Sequence, residues 1–267
     1  MNNNKQDIRA EVVTRRTYSR PKDDGTFETW EDTVNRVIEH QSWLWNRAGT
    51  AEGKELLEFS QLMLDKKVTT SGRTLWLGGT DIAKTRESSQ FNCSFTNVET
   101  VYDVVDVLWL LLQGCGVGFT PVVGTLNGFF KPITNIKVIN STKVVAEDGS
   151  FEKGEEHNTE TFKDGIWTIK IGDSAEAWAK SIGKLLAGKH NTDTLILDLS
   201  NIRPAGIRLK GYGWISSGDT SIAKAYTSIA QIMNRKAGQL LSRMDILDVV
   251  NWLGTILSSR RSAQIAL

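Results

Sequence analysis

The chain has 267 residues, enough for one large domain or two modest ones, and its 32 Lys and Arg against 31 Asp and Glu leave a net charge of +1. That balance supplies no general attraction to nucleic acid or to an anionic membrane, and 40% hydrophobic with 24% charged residues is a globular composition rather than a disordered one. Two cysteines, Cys93 and Cys115, cannot form a disulfide framework and lack metal-ligand spacing.

The polar opening, Met1 to Asp7, has no apolar core of a signal peptide. The most apolar run, Val104 to Leu112, is interrupted by Asp106 and is too short to span a bilayer. A cytoplasmic, reducing location is the expectation. Up to about Asp32 no period is sustained, which predicts an extended arm. Val34, Val37, Ile38 and Trp45 then recur at helical spacing, with Gly49 beyond the end, and Leu56, Phe59, Met63 and Leu64 make the stripe of a second helix. Arg73 to Leu77 reads as a strand stopped by Gly78 and Gly79. Gln90 to Val98 reads as another, with Phe91, Cys93 and Phe95 on one face and Asn92 and Ser94 on the other.

Val101 to Gln113 is an apolar helix ended by Gly114-Cys-Gly-Val-Gly-Phe119. From Phe129 to Gly165 the composition turns polar and predicts a hairpin or exposed insertion. Ile166 to Ile171 follows as a strand. Asp173-Ser-Ala-Glu176 has the pattern of a capping box opening a helix with Trp178, Ile182, Leu185 and Leu186 on its face. Thr194 to Leu199 is a buried strand. A glycine-punctuated loop, Arg203 to Gly218, leads to two helices, one carrying Ile222, Tyr226, Ile229 and Met233, the other Val249, Trp252, Leu253 and Ile256. The last residues, to Leu267, read as strand. Strands separated by helices indicate an α/β architecture with a largely parallel sheet, and an apolar strand at the end of the chain is either inserted centrally or awaits further neighbours.

Three features carry chemical potential. The glycine run lies after a helix and before a strand, the reverse of a dinucleotide fingerprint, so it is either a plain tight turn or a place for close backbone approach to a ligand. Cys93 is either a small buried hydrophobe or a functional thiol. Arg260-Arg261 is either a solvated pair or a recognition fork for phosphate or nucleobase.

Taken in order, several segments resemble the N-terminal half of ribonucleotide reductase. They are Thr17-Tyr-Ser-Arg20, Glu28 to Val37, Ser71-Gly-Arg-Thr-Leu-Trp-Leu-Gly-Gly-Thr80, Asn92-Cys93, Gly114 to Phe119, Ser200 to Gly206 and Ser259 to Leu267. The resemblance is to the monomeric, adenosylcobalamin-dependent class II type acting on ribonucleoside triphosphates. It implies the first half, about five parallel strands, of a ten-stranded α/β barrel. The implied order is an N-terminal arm and helical region (1–70), the first barrel strands and glycine loop (71–128), an inserted effector-site-like segment (129–193), and the remaining half-barrel ending after the Arg-Arg loop (194–267).

By the same resemblance, Cys93 is the first thiol of the redox pair. Ser71, Asn92 and the backbone at Cys115 and Gly116 line the substrate pocket, and Arg260 and Arg261 lie in the loop that relays the identity of a dNTP effector to substrate choice. The family's radical-cysteine loop has no counterpart in these residues. The expected partners are therefore the C-terminal half of the reductase and a thioredoxin-like reductant, with adenosylcobalamin held mostly by that other half. A non-catalytic nucleotide-binding or assembly protein built on the half-barrel, and a self-sufficient redox enzyme pairing Cys93 with Cys115, are the competing readings.

Overall fold

The computed structural model describes residues 8–48, 53–209, 211–212, 214–257 and 263–265. The chain divides into two units, Met1–Phe91 with Gly211–Gly213, and Asn92–Lys210 with Trp214–Leu267.

The first unit is helical. Its N-terminal stretch is not an extended arm: Ile8–Thr17 forms α1, although none of its residues is buried. No apolar stripe announces this helix, and half of its residues are β-branched; Arg9, Ala10, Glu11, Arg15 and Arg16 favour it, with a Glu11–Arg15 pair at 3.0 Å and (i, i+4) spacing. Trp30–Ala48 (α2) and Gly53–Leu64 (α3) follow the expected stripes, packing Val34 and Val37 against Met63 and Leu75. Gly72–Leu77 is also a helix, α4, and not a strand. Five residues are too few for periodicity to separate the two, and capping decides: Ser71 Oγ accepts from the Thr74 N–H and the Gly78 N–H donates to Thr74 O. Asp81–Thr85 (α5) and a 3₁₀ turn, Glu87–Gln90, complete the unit. Arg36 fastens it, reaching Glu28 at 2.7 and 2.8 Å and the carbonyls of Leu75 and Gly78.

The second unit begins with a β-α-β crossover: Cys93–Val98 (β1), Val101–Leu112 (α6) and Gly116–Pro121 (β2). The strands pair in parallel, and Ala263–Ile265 joins the far side of β2, again in parallel. A second sheet contains Asn135–Ile139 (β3), Thr159–Lys163 (β4), Ile166–Lys170 (β5) and Thr194–Asp198 (β6), in the order β3-β6-β5-β4. Its first three members are parallel, and β4 and β5 form an antiparallel hairpin. The expected α/β architecture with parallel strands is present, but the described strands divide three and four between two sheets instead of five in one. The polar stretch after Phe129 is more ordered than its composition indicates, since it contributes β3 as well as β4, the first arm of the hairpin. The terminal strand, β7, is the three residues Ala263–Ile265.

Ala175–Ala187 (α7), Thr220–Arg235 (α8) and Arg243–Gly254 (α9) share one core with both sheets, from Val117 and Phe119 through Trp167, Ile169, Leu195 and Leu197 to Ile182, Tyr226 and Val250. Tyr226 ties α8 to α7: its hydroxyl donates to Trp178 O at 3.0 Å and meets Ser181 Oγ at 2.7 Å. Ser174, not Asp173, caps α7, accepting from the Ala177 N–H. Asp173 is engaged elsewhere, receiving Arg203 Nε at 2.9 Å.

On β4, Glu160 gathers three donors and an imidazole. Lys184 Nζ lies at 2.7 Å, Trp167 Nε1 at 3.1 Å, His190 Nε2 at 3.3 Å and Lys189 Nζ at 3.4 Å, while the carboxylate is only 10% exposed. Burial opposes its charge, but the bonds from Lys184 and Trp167 and the neighbouring lysine charges win, holding its pKa at about 2. A carboxylate so depressed stabilises the fold above the usual value of 4.5 and loses that contribution as pH falls towards 2. Glu160→Gln should therefore lower the Tm by roughly 3–8 °C at pH 7. Thermal melts at falling pH should show that deficit shrinking between about pH 4.5 and 2.

Candidate active site

The glycine run divides into two jobs. Gly114 ends α6 with φ +92°, a left-handed conformation that favours glycine. Its N–H donates to Leu111 O at 2.9 Å and the Cys115 N–H to Leu110 O at 3.0 Å, the paired bonds of a Schellman C-terminus. Cys115 is thereby turned into the core and is fully buried. Gly116 then starts β2, its N–H donating to Asn92 O at 2.8 Å. This bond fixes the register: Cys93 opposite Gly116, Phe95 opposite Gly118, Asn97 opposite Thr120.

The two faces of the pair differ sharply. Val98, Val117 and Phe119 point inward and are wholly buried. On the other face Cys93, Phe95 and Asn97 of β1 are exposed, Phe95 by 60%. Their partners on β2 are two glycines and a threonine, so bare backbone runs beside the thiol. A Cβ at Gly116 would meet nothing nearer than Asn92 O at 3.7 Å, so glycine is not forced there by packing within the chain. The expected alternation of Cys93 and Phe95 is present. Phe91 precedes the strand and is also exposed.

α6 behind this pair starts with a capping box in which Thr100 and Asp103 exchange side-chain and backbone bonds. Burial raises the Asp103 pKa, but the bonds from Thr100 and the Glu99 N–H outweigh it and leave the carboxyl below its usual range. Asp106, one turn on, is pushed up by burial and by Asp103.

The sequence-derived site residues separate as follows. Asn92, Cys93 and Gly116 come together at the start of the β1–β2 pair. Cys115 is adjacent in sequence, but its side chain enters the core, and neither cysteine is in a disulfide. Successive residues point to opposite faces, so Cys115 and a thiol level with Gly116 look away from each other. The Cys93–Cys115 redox pair is overturned for that reason. Ser71 belongs to the first unit, where its hydroxyl caps α4. Arg260 and Arg261 lie outside the described residues. Gly118, which doubles the length of the bare lane, was not singled out from sequence; its signal is the two-residue spacing from Gly116. Among the described residues no group of three His, Cys, Asp or Glu could hold a metal ion, and no helix is long and apolar enough to cross a membrane.

Residues 3–80 match the ribonucleotide reductase alpha domain, and residues 134–233 match the insertion domain of B12-dependent ribonucleotide reductase. The chain belongs to the ribonucleotide reductase family. The insertion domain identifies the branch as the B12-dependent, or class II, reductases. Similar curated relatives include adenosylcobalamin-dependent ribonucleoside-triphosphate reductases of Lactobacillus gasseri, 30% identical over 96% of this chain and 40% of that protein, and of Euglena gracilis, 29% identical over 96% and 34%. A protein of Mycobacterium phage D29, named a putative enzyme of the same kind, is 28% identical over 97% of this chain and 39% of its own. The chain thus spans about two-fifths of the length of the curated relatives it matches. A solved B12-dependent class II ribonucleotide reductase shares the fold, with a TM-score of 0.73 at 22% identity over 94% of this chain and 40% of that one.

The opposed environments of the two thiols give a direct check. Titration of the native chain with a water-soluble disulfide reagent should detect one thiol promptly, and two after denaturation. Cys93→Ser should abolish the native signal, and Cys115→Ser should leave it.

Proposed function

We propose that this chain carries one redox thiol and part of the nucleotide surface of an adenosylcobalamin-dependent ribonucleoside-triphosphate reductase, working with the polypeptide that completes the family's length. The observation that supports this best is Cys93: an exposed thiol in register with Gly116, beside a strand free of side chains at two successive positions of that face.

Replacing a ribose 2′-hydroxyl by hydrogen consumes two thiols and yields a disulfide and water. Cys93 contributes one sulfur. The second comes from the completing polypeptide, because Cys115 faces the core. As the S–S bond forms, the two thiols give up two electrons and two protons: the hydroxyl leaves as water with one proton, and the electron pair and the other proton become the new C2′–H bond. A thioredoxin-like dithiol then reopens the disulfide by exchange and is itself oxidised.

The glycine lane gives a ribose close approach to the thiol, and Asn92 and the Gly116 backbone lie at its start. Cys115 contributes only backbone to such a pocket, and Ser71 is carried over from the resemblance alone. Adenosylcobalamin supplies radical initiation when bound, and the β1–β2 pair offers it no imidazole; the one exposed histidine among the described residues, His157, lies ahead of β4 in the other sheet. His40 is enclosed against Trp43, and His190 is stacked on Phe162. The completing polypeptide is therefore assigned that role. The match of residues 134–233 to the insertion domain supports a dNTP effector site in this chain, with Arg260 and Arg261 as its relay to substrate choice.

Reconstitution with the complementary segment from the same genome, adenosylcobalamin, a ribonucleoside triphosphate and a dithiol should yield deoxyribonucleotide. Cys93→Ser should reduce steady-state turnover by a factor of at least about 100. Full turnover by the serine variant would overturn the role of Cys93, and no product from any complemented preparation would overturn the assignment.

A further inference from the structure

His40 lies in the second half of α2, only 3% exposed, with its ring stacked on Trp43 at 5.6 Å between centroids and 18° between planes. Its Nδ1 is fully enclosed and has no hydrogen-bond partner. The charged groups facing it come from three elements: Arg36 on α2, Lys84 on α5, and Glu87 on the 3₁₀ turn. Two of the three are cations. Arg36 is pinned by Glu28 and by two carbonyls, and Lys84 Nζ sits over the Trp43 ring at 5.8 Å.

A neutral imidazole tolerates this setting. An imidazolium does not, because both ring nitrogens then carry protons and the one at Nδ1 has no acceptor. The positive charge would also lie among two cations with a single carboxylate to offset them. We propose that His40 is an acid-sensitive release within the first unit: protonating its ring loosens the packing of α5 and the 3₁₀ turn on α2.

Burial, together with Lys84 and Arg36, sets the pKa of His40 below the usual 6.5. The sign follows: below about 6.5 the unfolded chain takes up a proton that the folded unit refuses, so stability falls with pH, by at most a factor of about ten in the folding equilibrium per pH unit for one such group. The device concerns only the first unit and does not depend on the reductase assignment.

The test is brief thermolysin digestion of the full 267-residue chain at pH 7.5 and 5.5, with cleavage sites located by mass spectrometry. Each rate is divided by that of His40→Phe, which keeps a flat ring against Trp43 but cannot titrate. The expected result is a wild-type to variant ratio severalfold higher at pH 5.5, with about tenfold as the ceiling for one group, and with the new cuts between residues 78 and 90. A proton NMR titration of the imidazole signals should place His40, identified by its loss in His40→Gln, below 6.5 and show it moving over the same pH range. Equal ratios at the two pH values, new cuts confined to other segments, or a His40 titration at or above 6.5 would each overturn the proposal. Should His40→Phe fail to fold, His40→Gln serves as the reference with the same criteria.

Discussion

One backbone bond, from the Gly116 N–H to Asn92 O, determines what the β1–β2 pair presents. A slip of β1 by one residue would turn that strand over, sending Cys93 into the core and Val98 into solvent. The slip is prevented on both sides. The Schellman end of α6, built on the positive φ of Gly114, delivers the chain to β2 at a fixed point. The inward set of Val98, Val117 and Phe119 then locks the register against the apolar side of α6, where Val104, Val107, Leu108 and Leu111 are all wholly buried. The exposure of the thiol is thus a consequence of a helix terminus and a core rather than of anything near the sulfur.

Much of this was legible in the residues. The alternation around Cys93, the apolar helix from Val101, the buried strand from Thr194 and the stripes of α7 and α8 all follow from period, because each buries one face against a large core. What period could not reveal were elements that lack such a face. α1 buries nothing, so its sequence holds no stripe to find. α4 is one and a half turns, and Leu75 and Leu77 fit either alternation or helix until the hydroxyl of Ser71 is seen to cap it. β3 is an edge strand whose residues are all at least partly exposed, so it reads as polar loop.

The side-chain clusters were less legible still, since they join distant segments. Glu160 looks like one more charge in a polar hairpin. Its meaning depends on Lys184, Lys189 and His190, which α7 and the following turn return to it. His40 sits among polar neighbours in sequence, yet α2 turns it beneath Trp43. Cys115 and Gly116 are neighbours in sequence, but successive residues at the head of a strand look in opposite directions, so the Cys115 side chain enters the core.

The bare lane beside Cys93 has a particular standing in the genetic code. Every missense neighbour of a glycine codon encodes a residue with a Cβ, so no single-base change at position 116 or 118 preserves backbone alone on that face. An alanine or leucine in a core has substitutes of similar bulk one base away, but smoothness at these two positions has none. Drift at these sites has one direction only, towards crowding the thiol, and any lineage that needs the lane open must hold both codons fixed.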